Sequence, residues 1–435
     1  MSSSTRVRLP STFRALRHRN YRLWFFGQTV SLIGVWMQTM AQQVLVYRLT
    51  GSAAALGMVN FLALIPLVPL SLWAGSVLDR YSKRNVIMIT QAIMMAQALV
   101  LAVLSWLGLV QVWHVFVLAF ILGSVNAVDV PARQSFTVDM VEGKEDLTNA
   151  IGLNSTMFNM ARALGPAMAG LVVAATGEGT AFFINSLTFL AVMGSLLFMR
   201  NLPTSSTVNQ PVMSGWAHMG GGLRFITRQR AIFILVSLVA VSAFLSMPYT
   251  TLMPVFASDI LGASAQPVIA FFCENGPVRF ECEAPEALPL GILLTMVGIG
   301  AVVGALVVAS LPDRANRAWL LTMGSIGFPL LLLIFAISRS FILSSLMLVL
   351  IGINFVLQNS LANTLLQIAT PDELRGRVMS VYTMVMQGMM RMGGLQAGLV
   401  ADFVSPAFSI GMGAMISLGY GLFVAFRIPE VRHLK

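Results

Sequence analysis

Residues 145–170 read EDLTNAIGLNSTMFNMARALGPAMAG, and residues 372–398 read DELRGRVMSVYTMVMQGMMRMGGLQAG. Both open on two acidic residues and a leucine, run on as apolar segments long enough to cross a bilayer, and close on Ala-Gly with one residue of slippage. Self-similarity at a fixed offset means that one structural unit is present twice. A second pair agrees with it: GSVLDRYSKR at 75–84 is answered by ASLPDRANR at 309–317. Apolar runs fall near 23–47, 54–78, 85–107, 112–135, 147–175, 180–199, 231–258, 288–311, 317–337, 341–366, 376–402 and 406–427. The reading is therefore an all-α membrane protein of twelve transmembrane helices in two six-helix halves. Residues 1–199 and 229–435 are the halves, and the polar stretch 200–228 joins them.

Composition requires lipid as the solvent. The 435 residues are 57% hydrophobic and 10% charged, where a water-soluble chain carries about 25% charged residues. Each span needs about 20 mostly apolar residues. The net charge of +10 does not imply nucleic acid, because it is spread in a pattern. Of the Lys and Arg residues, Arg48, Arg279 and Arg339 fall in loops on one side, and Arg162 and Arg391 fall inside spans. The others lie in tails, span ends and loops that alternate to the opposite side. This is the positive-inside bias, and it puts both termini in the cytoplasm. Arg6, Arg8, Arg14, Arg17, Arg19 and Arg22 precede span 1 without a cleavage site, so residues 10–22 read as a basic interfacial helix rather than a signal.

Gly75, Asp79, Arg80, Lys83 and Arg84 in GSVLDRYSKR have a spacing that a generic basic loop would not supply. Glycine permits close helix approach, the aspartate sits at a helix end, and the basic residues anchor at an anionic leaflet. The segment resembles the loop 2–3 signature of the major facilitator superfamily, which implies a conformational gate. The second copy carries Asp313 and Arg314 but has Ala309 at the glycine position. FFGQTVSLIGVWMQTMAQQVLVYRLTGS in span 1, NMARALGPAMAG in span 5 and PDELRGRVMS before span 11 narrow the resemblance. They are similar to the drug and siderophore exporters of that superfamily, the branch with the enterobactin exporter and macrolide efflux proteins. Gly165, Pro166 and Gly170 resemble its antiporter motif. The resemblance implies a monomeric transporter in a bacterial inner membrane, with a small-molecule substrate and a proton gradient in place of a cofactor.

Polar residues inside the spans are the candidate site. Gln28, Ser31, Gln38 and Gln42 share one face of span 1 and serve either interhelical hydrogen bonds or the wall of a cavity. Asn126, Asp129 and Arg133 share a face of span 4, and span 10 carries Asn354, Gln358, Asn359 and Asn363. Asp129 is either the proton carrier or the partner in a fixed ion pair with Arg133 or Arg162. Arg391 has no evident carboxylate nearby and could meet a substrate anion or helix-end carbonyls. Ser246, Pro248, Tyr249, Thr250 and Pro254 make span 7 a hinge or a static kink. Met379, Met384, Met386, Met389, Met390 and Met392 give span 11 a soft wall or ordinary packing.

Cys273 and Cys282 lie in an extended outer loop, 259–287, where oxidising conditions would allow a disulfide around Asn275-Gly276. The acidic residues there (Glu274, Glu281, Glu283 and Glu286) read as a solvated face. There is no phosphate loop for ATP, since Gly143-Lys144 runs into Glu145. His18, His114, His218 and His433 have no metal spacing, and no nucleophile–base set marks an enzyme. Export of an amphipathic small molecule is the expectation. An importer or facilitator on the same fold, and a non-transporting membrane scaffold or secretion factor, are the alternatives.

Overall fold

The computed structural model describes residues 11–200, 215–274, 282–312 and 316–427. A 3-10 turn, Ser11–Arg17, leads into α1 Arg19–Thr50, α2 Ala53–Arg80, α3 Lys83–Trp106, α4 Val112–Asp139 and α5 Lys144–Phe198. α6 Gly215–Arg228 and α7 Arg230–Val241 follow. The chain then passes through a π turn Ser242–Ser246, a 3-10 turn Met247–Thr250, the one-turn α8 Met253–Val255 and a second π turn Phe256–Ile260. α9 Gly262–Cys273, α10 Ala287–Ala309, α11 Arg317–Ile337, α12 Phe341–Ala369, α13 Asp372–Phe403 and α14 Pro406–Arg427 complete it. In hydrocarbon each backbone group must be bonded within its own segment, and the helix satisfies that locally.

Short caps make the connections tight. Gly51 closes α1 in the left-handed region (φ 60°), its N–H donating to the Tyr47 carbonyl. Ser52, Ser82 and Ser340 then accept from the third backbone N–H of α2, α3 and α12. α5 is 55 residues long because its two halves meet at Gly177 (φ 72°) with little intervening loop. The predicted loop 259–287 departs from expectation. Its first part is the helix α9, and Cys273 and Cys282 are bridged by a disulfide with Cα atoms 5.7 Å apart. Asn275, Gly276, Arg279 and Glu281 lie outside the described residues. Large apolar side chains such as Trp73, Ile337 and Phe403 stand exposed on the outside of the bundle, where lipid would meet them.

The helices form two sets. α1 packs on α5, α2 on α4, and α3 on both α4 and α5; in the second set α12 packs on α10 and α11, and α14 on α11. Two seams join the sets, α5 with α10 and α2 with α13. They are lined by residues too small to hold backbones apart. A Cβ on Gly291 would fall on Gly170, one on Gly298 on Ala163, one on Gly57 on Gly394, and one on Gly398 on the backbone of Ala53.

The seams are packed at one end only. At the end bearing Arg80, Lys83, Arg84, Arg375 and Arg377, hereafter the basic end, Gly75, Gly152 and Gly376 have open space where a Cβ would stand. Ile151, Ser155 and Thr156 of α5 and Ser380 of α13 are exposed there. At the opposite end Asp402 of α13 accepts from Ser52 Oγ (2.5 Å) and from the backbone N–H groups of Ala53 (2.7 Å) and Ala54 (3.0 Å), which begin α2. Tyr47 of α1 donates to Asp259 at 2.6 Å. The sets thus enclose a cleft that opens at the basic end.

Candidate functional site

The break after α7 shapes one wall of the cleft. Two π turns and the prolines Pro248 and Pro254 interrupt the helix, so Ser242 and Met247 face α12 and α13 across a pocket. Phe355, Gln358 and Asn359 of α12 and Met386 and Met390 of α13 line it with them. Ser242 donates to Gln358 Oε1 at 3.0 Å, the Tyr382 hydroxyl donates to Asn359 Oδ1 at 2.9 Å, and Asn359 Nδ2 donates to Met386 Sδ at 3.4 Å. The pocket is narrow as it stands, and its thioether wall is deformable.

Of the nine polar residues expected on a cavity wall, Gln358 and Asn359 stand in this pocket. Gln38 is spent between helices of the first set, donating to Gln97 at 2.9 Å and accepting from Asn185 at 2.5 Å. Gly27 and Gly34, on the same stripe, press on Ala191 and Thr188 of α5. Gln28, Ser31 and Gln42 are buried along that stripe. Asn354 turns to α11, its Oδ1 lying against Gly327. Asn363 accepts from Gln367 at 2.5 Å, and Asn126 is partly buried on α4.

Asp129 is 1% exposed and packs on α3, away from the cleft. Thr90 Oγ1 donates to Oδ1 at 2.5 Å, Gln91 Nε2 donates to Oδ1 at 3.1 Å, and Arg133 Nε lies 2.5 Å from Oδ2. Its ion partner is thus Arg133, one turn along the same helix, and the alternative pairing with Arg162 does not form. Arg162 instead lies between rings, its guanidinium carbon 5.3 Å from the Phe355 centroid and 6.0 Å from that of Trp36. Among the described residues neither Arg162 nor Arg391 has a carboxylate partner.

The gate residues lie at the basic end. Lys83 bridges to Asp139 at 2.8 Å, Arg84 donates to the Leu197 carbonyl at 3.3 Å, and Arg80 is exposed. The close helix approach expected at Gly75 is absent, because the cleft is open there and no heavy atom lies within 4 Å of a Cβ at that position. Asp79 ends α2, its side chain outside what the structure describes; Asp313 and Arg314 lie outside the described residues. In the GPAMAG stretch Gly165 packs on Trp36 of α1, Pro166 sits inside α5, and Gly170 meets Gly291 across the seam. Sequence reasoning missed Trp36, Phe355 and the cap made by Asp402, since neither an aromatic in an apolar run nor a carboxylate at a span end announces a partner from the other set.

A family model described as a transmembrane secretion effector matches residues 10–271 and 278–435. The chain belongs to this family of major facilitator transporters. The transporter is 26% identical to the staphyloferrin A transporter of Staphylococcus aureus, over 87% of this chain and 89% of that one. It is 25% identical to the multidrug efflux pump Tap of Mycobacterium tuberculosis, over 95% and 94%. Its fold matches that of a solved peptide transporter with a TM-score of 0.71 at 13% identity, covering 96% of this chain and 95% of the other. The family, the relatives and the apolar helices together make it a multi-pass plasma-membrane transporter of the drug- and siderophore-exporter type, acting on a small molecule.

Proposed function

We propose that the transporter exports amphipathic small molecules, drugs or siderophores, by proton antiport, as two six-helix halves rock about the cleft. Nine helices are long and apolar enough to cross a membrane among the described residues. The reading adds α1 and α13, whose polar faces dilute their hydropathy, and counts α5 twice because it turns at Gly177. The halves are 1–199 and 229–435, with 200–228 as linker, and the basic end is read as cytoplasmic.

The observation that carries this reading is the one-sided closure of the seams. A path open to one face alone is half of an alternating-access cycle. It supports loading from the cytoplasm, and the outward direction is carried over from the multidrug efflux pump. Asp129 supports the coupling role: a proton arriving at Oδ2 competes with Arg133 for the same oxygen and would release the guanidinium.

Everted vesicles with an imposed pH gradient test it, using a panel of fluorescent drugs and siderophores. Gradient-driven uptake is expected in the wild type, abolished by a protonophore and reduced at least tenfold in Asp129→Asn. Uptake that survives the protonophore would remove proton coupling. Full uptake in Asp129→Asn would reduce the Asp129–Arg133 pair to a structural one.

A further inference from the structure

Of the charged groups within the spans and at their ends, most have an evident counterpart. Asp129 holds Arg133, Glu178 holds Arg48 at 2.8 Å, and Asp402 caps α2. Arg162 has none among the described residues, and its surroundings are specific. Trp36 comes from α1 and Phe355 from α12, so the guanidinium spans the boundary between the two helix sets. The same Phe355 is a wall of the methionine pocket.

A second unpartnered group lies in the same aromatic cluster. Tyr249 is 1% exposed, and its hydroxyl has no hydrogen-bond partner. Its ring stands against Phe328, which in turn packs on Phe355, the ring that Arg162 faces. Guanidinium carries five N–H donors and the phenol one more. Rings satisfy the charge of an arginine in part, but they accept no ordinary hydrogen bond from it. Arg162 is half-buried, and the Tyr249 hydroxyl is a fully buried donor without an acceptor, which is rare in folded proteins. An oxyanion with two oxygens answers a planar fork of donors, where a single carbonyl answers one.

We propose that Arg162 and Tyr249 form an anion subsite for the carboxylate of an amphipathic molecule whose apolar body lies along Phe355 into the pocket walled by Met386 and Met390. That this molecule is exported rests on the proposed function; its binding at the subsite does not. Arg391 occupies nearly the equivalent place in the second copy of the repeat, but among the described residues the cation–ring contacts are those of Arg162.

Dansyl-leucine and its neutral methyl ester are matched probes for the purified full chain in detergent, read by dansyl fluorescence. The wild type is expected to bind the acid at least tenfold more tightly than the ester. Arg162→Gln should erase that preference. Arg162→Lys should keep part of it, having the charge without the fork. Tyr249→Phe should weaken acid binding a few-fold with the ester unaffected, and Arg391→Gln should leave the preference intact. Equal binding of acid and ester by the wild type, binding of neither, or a preference that survives in Arg162→Gln overturns the proposal. If Arg162→Gln fails to elute as folded protein, the lysine and phenylalanine variants decide, and an unchanged preference in both overturns it. Repeating the titration in phosphatidylcholine nanodiscs with and without phosphatidylglycerol separates sources of the anion. Loss of dansyl-leucine binding when the anionic lipid is present would assign the site to a headgroup and overturn the substrate subsite. Acid-selective binding without gradient-driven uptake in vesicles would sink export and leave the subsite standing; uptake without acid selectivity would do the reverse.

Discussion

Asp402 accepts three hydrogen bonds from residues almost the whole chain away, two of them from the first backbone N–H groups of α2. A carboxylate at a helix N-terminus is favoured by the dipole and supplies the cap in one step. Its position near the outer end of span 11 was legible in the sequence; the helix it caps was not, because a cap of this kind needs an acceptor that only the tertiary arrangement brings. Asp402→Ala removes a cap worth about 1 kcal/mol, which corresponds to roughly fivefold in the balance between closed and open ends. Ser52→Cys reports it, since the native cysteines are bridged. Maleimide added from the side away from the basic end should label that cysteine several-fold faster with Asp402→Ala than without. Equal rates would mean that the glycine packing alone keeps the end shut.

At the scale of elements, helix number and rough bounds could be read from apolar runs, since lipid forces each run into one form. The faces were harder. The stripe Gln28–Ser31–Gln38–Gln42 is polar whichever neighbour it meets, and periodicity does not say whether that neighbour is a helix or a cavity. Gln38 meets Gln97 and Asn185. Span 7 was readable as interrupted from Pro248 and Pro254, but the pocket it makes depends on Phe355, Met386 and Met390 arriving from two other helices. The sequence reading takes 259–287 as an extended outer loop, and the helix α9 within it follows the apolar run of Gly262–Cys273. The disulfide, closing a separation of nine residues, supplies about 2–3 kcal/mol of loop order on the chain-entropy model. Replacing both Cys273 and Cys282 by serine should speed amide hydrogen exchange across Gly262–Cys273 by tens-fold and leave α3 and α4 unchanged. Unaltered exchange in α9 would show that its packing on α10 suffices without the bridge.

Across the whole molecule, the repeat near 145–170 and 372–398 announced two similar sets, and the structure adds how they meet. The two seams, α5 with α10 and α2 with α13, pair elements from opposite sets, which no single run of sequence displays. Transport by rocking requires the Asp402 end to part in each cycle. Joining it through Ser52→Cys and Asp402→Cys, whose native side chains touch, should therefore stop uptake in vesicles once oxidised, and reductant should restore it. A wild-type control treated identically accounts for the native bridge. Uptake that continues with the two positions cross-linked would rule out parting at that end.

The seams also bear on how cargo arrives. Where Gly291 meets Gly170, Gly298 meets Ala163, and Gly398 meets Ala53, backbone lies on backbone with no side chain to swing aside. Such a joint can roll but offers no window to the acyl chains at the Asp402 end. A hydrophobic molecule dissolved in that half of the bilayer cannot slip sideways between these helices; it reaches the cleft only after crossing to the basic end, where the seams are parted.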